Sequence, residues 1–243
     1  MMAETRPLVS IITSTYKGAR FIERSIKSVL LQTMPNFEHV IVDDGSFDGT
    51  EQVVGQFDDP RIVYIKREGP HSVFSDNAKN VAIRAARGKY LSYLDHDDAY
   101  RPKFLATLSS YLEEHLDVGF VFCDFYWHRQ QWNLEGDGLW YEYSQRKIGC
   151  DFDLGVMKYK NIIGSMTPMH HRDVVNEVGY FKRDAPGTIH PPGREDDWDY
   201  WLRIAQYVLA QQLKVVRLPV VLADYVSKNS IHYWDKDYAP WKE

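Results

Sequence analysis

The stretch Lys89-Tyr90-Leu91-Ser92-Tyr93-Leu94 runs directly into Asp95-His96-Asp97-Asp98. The apolar, aromatic-rich half predicts a strand, preceded by helical periodicity from Ala78 to Arg87 that Gly88 ends at the expected C-terminal position. Pro102 then opens another helix. Carboxylates one residue apart at a strand end can aim oxygens at one hard cation. Mg²⁺ or Mn²⁺ favours such ligands together with phosphates. Asp at a helix start serves equally well as a cap, so the cluster alone leaves both readings open.

Working outward, Leu8-Val9-Ser10-Ile11-Ile12-Thr13 reads as a strand. Phe21, Ile22, Ser25, Ile26, Val29 and Leu30 then form one face of a helix. Phe37 to Val42 is a second strand, ended by Asp43-Asp44-Gly45-Ser46, with Asp48 able to cap a helix through about Phe57. Arg61 to Lys66 is a third. Near-continuous apolar strands alternating with helices predict a parallel sheet covered on both faces. Ligands of such sheets bind beyond the strands' carboxyl ends, here Thr13-Ser14-Thr15-Tyr16, Asp43-Asp44 and Asp95 to Asp98. The chain has neither Gly-x-Gly-x-x-Gly nor Gly-Lys-Ser/Thr, so a bound nucleotide's phosphates would rest on metal rather than on a glycine-rich loop. That argues against dehydrogenases and P-loop NTPases.

Beyond this half, Phe104, Leu105, Leu108, Tyr111 and Leu112 line a helix, and Val118 to Asp124 reads as a strand. Phe125 to about Ile163 loses its period and predicts hairpins and loops. A helix near Arg172 to Val178, a loop to Gly193, a helix from about Asp197 to Ala210 and two short strands, Lys214 to Leu218 and Val220 to Tyr225, precede a polar tail. The acids Glu195, Asp196, Asp197 and Asp199 suit a helix N-terminus. Their crowding could equally raise one pKa enough to make a proton acceptor.

The 243 residues, 44% hydrophobic and 26% charged, predict a single domain, because no linker-like tract divides them. With 29 Lys and Arg against 34 Asp and Glu, the net charge of -5 leaves no basic excess for nucleic acid. Cys123 and Cys150 lack CxxC spacing, which fits a reducing compartment. Met1 to Pro7 has no apolar signal core and Val215 to Ala223 is short and carries Arg217, so neither secretion nor a membrane span is expected. The 7 Trp and 16 Tyr are many for such a chain. Phe120, Phe122, Phe125, Tyr126, Trp127, Trp132, Trp140, Tyr141 and Tyr143 crowd one segment. Phe120 and Phe122 are expected in the core, and Trp127, Trp132 and Trp140 are candidates to line a groove.

The segments Val9 to Tyr16, Val29 to Thr33, Val42 to Thr50, Asn77 to Asn80, Ala86 to Tyr90 and Leu94 to Asp98, with Glu195 to Arg203, together resemble the family 2 glycosyltransferases. The resemblance covers roughly the first 125 residues and the later acidic signature. It implies a GT-A fold, a Rossmann-like and mostly parallel sheet flanked by helices, with a smaller acceptor-side subregion. About 7–125 would bind the nucleotide sugar, and about 126–243 would supply the acceptor site and the base. It further implies a metal-dependent, inverting transfer from a nucleotide sugar, UDP-sugars favoured, to a saccharide or lipid-linked acceptor, at the cytoplasmic face of the membrane, with peripheral association compatible. Carried over by position, Tyr16 packs on the nucleobase and Asp44 hydrogen-bonds it, with Thr13 or Ser14 nearby. Asp95 contacts ribose or diphosphate, Asp97 binds Mn²⁺ or Mg²⁺ and Asp197 is the base, with Asp196 the alternative by a register shift. Lys79 stands where many relatives have Arg, His96 separates the two acids, and His232 resembles a C-terminal His that reaches the metal or diphosphate in some relatives. The other readings are a catalytically silent binding module, or a nucleotidylyltransferase, whose glycine-rich loop is missing here.

Overall fold

The computed structural model of the chain describes residues 6–68, 76–132, 141–182 and 196–226. Strands β1 (Val9–Thr15), β2 (Phe37–Asp43), β3 (Ile62–Lys66) and β4 (Tyr90–Tyr93) pair in parallel in the order β3-β2-β1-β4. Helices α1 (Ile22–Leu30), α2 (Thr50–Val54) and α3 (Asp76–Ala85) make the crossovers. Every residue of β1 and β2 is buried, as strands covered on both faces require. Alternation divides them between two cores. Ile12, Val40 and Val42 pack with Ala78, Ala82 and Ile83 of α3 and with Trp201 and Ala205 of α7 (Asp196–Ala210). Val9, Ile11 and Phe37 pack with Val29 of α1 and with Phe104, Leu105 and Leu108 of α4 (Phe104–Glu114).

The second half completes a nine-stranded sheet. Strand β8 (Pro168–His171) lies antiparallel between β4 and β6 (Val118–Trp132). Strand β9 (Lys214–Val226) runs parallel to β6, and β5 (Ala99–Tyr100) closes the edge against β9. Helices α5 (Leu154–Met157) and α6 (Val174–Val178) lie in the connections on either side of β8.

Two departures from the sequence expectation have physical causes. Pro168–His171 shows no apolar alternation, yet it is a central strand because His170 is satisfied inside the sheet. Its Nε2 lies 2.8 Å from the Tyr93 hydroxyl, and burial pushes its pKa down to about 4, so the ring is neutral. The hairpin expected after Phe125 is present and long, with β6 continuing to Trp132 and pairing with β7 (Tyr141–Ile148). The two strands expected around Pro219 are one. The register steps from Cys123 opposite Leu218 to Asp124 opposite Val221, leaving Pro219 in a bulge where its missing N–H breaks no ladder bond.

The Ala86-Arg87-Gly88 segment that ends α3 is a structural clamp. The buried Glu38 carboxylate accepts from Ser10 Oγ at 2.6 Å, Arg87 N at 2.5 Å and Arg87 Nε at 3.0 Å. Gly88 N–H donates to Ser10 Oγ at 2.8 Å, and a Cβ at Gly88 would lie 2.5 Å from Ser10 N. Only glycine allows this approach.

Candidate active site

Parallel register sets Thr15 opposite Asp43, so the loops after β1 and β2 leave the sheet side by side. The second loop holds the first. Ser46 Oγ, Thr50 Oγ1 and Asp48 Oδ2 accept from the consecutive backbone N–H groups of Lys17, Gly18 and Ala19 at 2.9, 3.1 and 3.1 Å. Burial pushes the Asp48 carboxyl up, but the bonds from Thr50 and Ala19 outweigh it and leave the pKa lowered. Asp43 is buried and structural, accepting from Ser46 N at 2.8 Å and Tyr64 Oη at 2.6 Å. Gly45 and Gly49 have φ of 83° and 97°, the left-handed turns that this loop requires.

Asp44 donates its backbone N–H to the Thr15 carbonyl at 2.8 Å, and its buried carboxylate pairs with Arg67. Tyr16 is half-buried at the end of β1, with Lys17 Nζ 5.2 Å from its ring and 4.6 Å from that of Phe47, which is 78% exposed. Thr13 is engaged inside the sheet. Its hydroxyl donates to Leu94 O at 2.7 Å and lies 2.9 Å from His39 Nε2. The Ser14 side chain is buried, and its carbonyl lies 3.4 Å from His96 Nδ1.

The acidic turn after β4 closes through Asp98 N–H to Asp95 O at 3.1 Å, and its three acids have different surroundings. Asp95 Oδ1 lies 3.4 Å from Lys79 Nζ, and Oδ2 accepts from Ser165 Oγ at 3.1 Å. Asp97, partly exposed, makes no hydrogen bond or ion pair with the described residues. Asp98 is buried, with Oδ1 accepting from Val226 N at 2.9 Å and no hydrogen-bond partner for Oδ2. Burial first, then the charges of Asp97 and Asp95, push its pKa well above the carboxylate range.

Asp197 lies in the first turn of α7, 5% exposed. Its Oδ1 accepts from Trp198 N at 2.7 Å and its Oδ2 from Asn161 Nδ2 at 3.4 Å. Trp198 Nε1 donates to Met157 O at 2.6 Å. Asn161 and Ser165 thus belong to one short segment that touches Asp197 at one end and Asp95 at the other. Asn80 exchanges two bonds with the Phe181 backbone, at 2.9 and 3.0 Å, and the Phe181 ring lies 5.4 Å from Lys79 Nζ.

Asn161, Ser165, Phe181 and Arg67 carried no sequence signal, being single residues in stretches without period. Glu195 and His232 lie outside the described residues, as does Trp140, and only the backbone of Asp196 is described. Phe120 and Phe122 are core residues, whereas Trp127 is 42% exposed, edge-on to Tyr225 at 5.9 Å.

Among the described residues no group of three His, Cys, Asp or Glu could by itself hold a metal. The acidic turn nevertheless fits a hard divalent cation, which is commonly held through one or two carboxylates plus substrate phosphates. Asp97 is the partly exposed carboxylate of this turn that has no partner among the described residues.

The model of glycosyl transferase family 2 matches residues 10–170, more than half of the chain. TuaG of Bacillus subtilis (strain 168), a glycosyltransferase whose name assigns it provisionally to teichuronic acid biosynthesis, is 37% identical over 117 residues, 46% of this chain and 45% of TuaG. An uncharacterised glycosyltransferase of Methanocaldococcus jannaschii is 27% identical over 202 residues, 82% of this chain and 64% of that protein. The chain therefore spans less than two thirds of either relative. Among solved structures, S. aureus TarS 1-349 in complex with UDP-GlcNAc superposes with a TM-score of 0.65 at 18% identity, covering 90% of this chain and 58% of that one. The mannosyltransferase PcManGT of Pyrobaculum calidifontis, in complex with GDP-Man and Mn²⁺, gives 0.60 at 20% identity, covering 91% and 57%. With the paired loops, the acidic turn and the α7 acid on one rim of a mostly parallel sheet, the chain belongs to glycosyl transferase family 2 and has the GT-A fold.

Proposed function

We propose that the protein transfers a sugar from a nucleoside diphosphate sugar, UDP-sugars favoured, to a hydroxyl of a saccharide or lipid-linked acceptor, with inversion at the anomeric carbon. About 7–125 forms the donor half of a single domain, and about 126–243 the base and acceptor half. The observation that carries this reading is the Asn161–Ser165 segment, which contacts both Asp95 and Asp197 and so fixes a donor-side acid relative to a candidate base. The structures of TarS with UDP-GlcNAc and of PcManGT with GDP-Man support a nucleotide-sugar donor. The name of TuaG supports a polymer acceptor, and synthesis at the cytoplasmic membrane face fits it.

An acceptor hydroxyl is too weak an acid to ionise at neutral pH, so a carboxylate must take its proton as the new bond forms. Asp197 is assigned that role, worth about 10²- to 10⁴-fold, and Asp196 is the register alternative. The Trp198 N–H and Asn161 orient the Asp197 carboxylate. Tyr16 packs on the base, and Asp44, steadied by Arg67, hydrogen-bonds it. Asp95, fixed by Lys79 and Ser165, contacts the ribose or diphosphate. Asp97 would hold Mn²⁺ or Mg²⁺. A cation bound there with the donor's phosphates would neutralise the charge that develops on the leaving diphosphate.

Asp197→Asn is expected to lower transfer by at least about 100-fold while leaving UDP affinity in Mn²⁺ within about twofold, measured by product assay and calorimetry. Transfer at the wild-type rate would move the base to another residue, and Asp196→Asn tests that choice. No binding of any UDP-, GDP- or dTDP-sugar by the wild-type protein would remove the donor assignment altogether.

A further inference from the structure

Lys158-Tyr159-Lys160 is the segment between the two contacts that tie α5 and its following loop to the first turn of α7. Met157 O, on one side, accepts from Trp198 Nε1 at 2.6 Å. Asn161 Nδ2, on the other, donates to Asp197 Oδ2 at 3.4 Å. Met157 itself is buried in the core, so α5 cannot swing away without emptying its socket. The three residues between these anchors are all exposed, Tyr159 at 82%. They therefore stand beside the candidate base, facing solvent.

Their charges meet no partner among the described residues. Lys27, Lys66, Lys89, Lys147 and Lys214 each reach a carboxylate within 3.0 Å, as lysines of a folded acidic chain readily do. Lys158 and Lys160 make no ion pair, side-chain hydrogen bond or ring contact with the described residues. The rim beside them carries Asp95 and Asp97 in one turn and Asp197 in the other. A neutral acceptor needs no cations there. An anionic acceptor would be repelled by these acids unless positive charge met it at the entrance. The exposed Tyr159 ring, between the two lysines in sequence, offers an amphipathic face for a sugar ring.

We infer that Lys158, Tyr159 and Lys160 form an acceptor subsite for a saccharide carrying carboxylates, of the uronic acid class. This rests on the proposed transfer reaction and names its acceptor. The test is calorimetric titration of the full chain, with UDP and Mn²⁺ present. The probes are a hexasaccharide of alternating glucuronic acid and N-acetylglucosamine, and the same hexasaccharide with its carboxyls reduced to alcohols. The charged form is expected to bind about fivefold to tenfold tighter at 50 mM NaCl, with the preference falling at 300 mM. The double variant K158Q/K160Q should lose the preference, and K158R/K160R should keep it. Because all three residues are exposed, an unchanged melting temperature will confirm that the variants fold. Equal affinity for the two probes, no binding of the charged one, or a preference that survives K158Q/K160Q would overturn the inference. So would lysine-dependent binding to phosphatidylglycerol vesicles without saccharide binding. Wild-type UDP binding, measured alone, separates these outcomes from a failure of the nucleotide-sugar reading.

Discussion

Asp95 and Asp97 stand two positions apart on one turn, yet their surroundings suit them to different tasks. Lys79 and Ser165 engage both oxygens of Asp95, whereas Asp97 has no hydrogen-bond or ion-pair partner among the described residues. The acids themselves were legible in the sequence, because carboxylates that end the apolar runs of a parallel sheet stand at its carboxyl rim. Their partners were not. Ser165 and Asn161 are isolated polar residues in an aperiodic stretch, and only the folded chain brings them to Asp95 and Asp197. They make opposite predictions. Ser165→Ala releases one oxygen of Asp95 and should raise the donor KM by about tenfold with little change in kcat, in keeping with loss of a hydrogen bond to a charged group. Asn161→Ala loosens Asp197 and should lower kcat while leaving the donor KM near wild type. Steady-state kinetics with a saturating acceptor distinguish the two, and a common effect on both constants would show that the segment merely supports the fold.

Strands and helices whose residues face one environment along their length were legible from period alone. Those broken by a special contact were not. The parallel half, β1 to β4 with α1 to α3, followed from apolar runs alternating with amphipathic segments. Strand β8 did not, since His170 substitutes a ring hydrogen bond for apolar character. Strand β9 was divided at Pro219 because a proline ordinarily ends a central strand, and the bulge that accommodates it is a property of its pairing with β6. The Arg87-Gly88 segment has a structural role, since it ties the end of α3 to Ser10 of β1 and Glu38 of β2. Gly88→Ala would set a Cβ against the Ser10 backbone, with no flexible side chain able to yield. It should cost roughly 3 kcal/mol and lower Tm by roughly 6–12 °C. Scanning calorimetry checks this, and a Tm within 2 °C of wild type would mean that the backbones separate without cost.

Across the whole molecule, the sheet buries two histidines that must stay neutral for the fold to hold. Burial pushes His39 down to about 3 and His170 down to about 4, and neither is exposed. In the unfolded chain both titrate near 6.5, so below that pH the unfolded state takes up protons that the native state refuses. Their contribution to stability is complete above about pH 6.5 and is lost as the pH falls toward the folded values. At about 1.4 kcal/mol per pH unit, a fall from 6.5 to 5 removes at most about 2 kcal/mol for each ring. Asp98 acts in the opposite direction. Its raised pKa lets the native state keep a proton that the unfolded chain has shed, so its contribution grows as the pH falls and offsets part of the loss. The net expectation is a Tm lower by about 5–12 °C at pH 5 than at pH 7. The double variant H39Q/H170Q should be less stable at pH 7 and much flatter between the two pH values. Equal slopes for the variant and the wild-type protein would assign the acid sensitivity to other groups, leaving the two buried rings with a packing role alone.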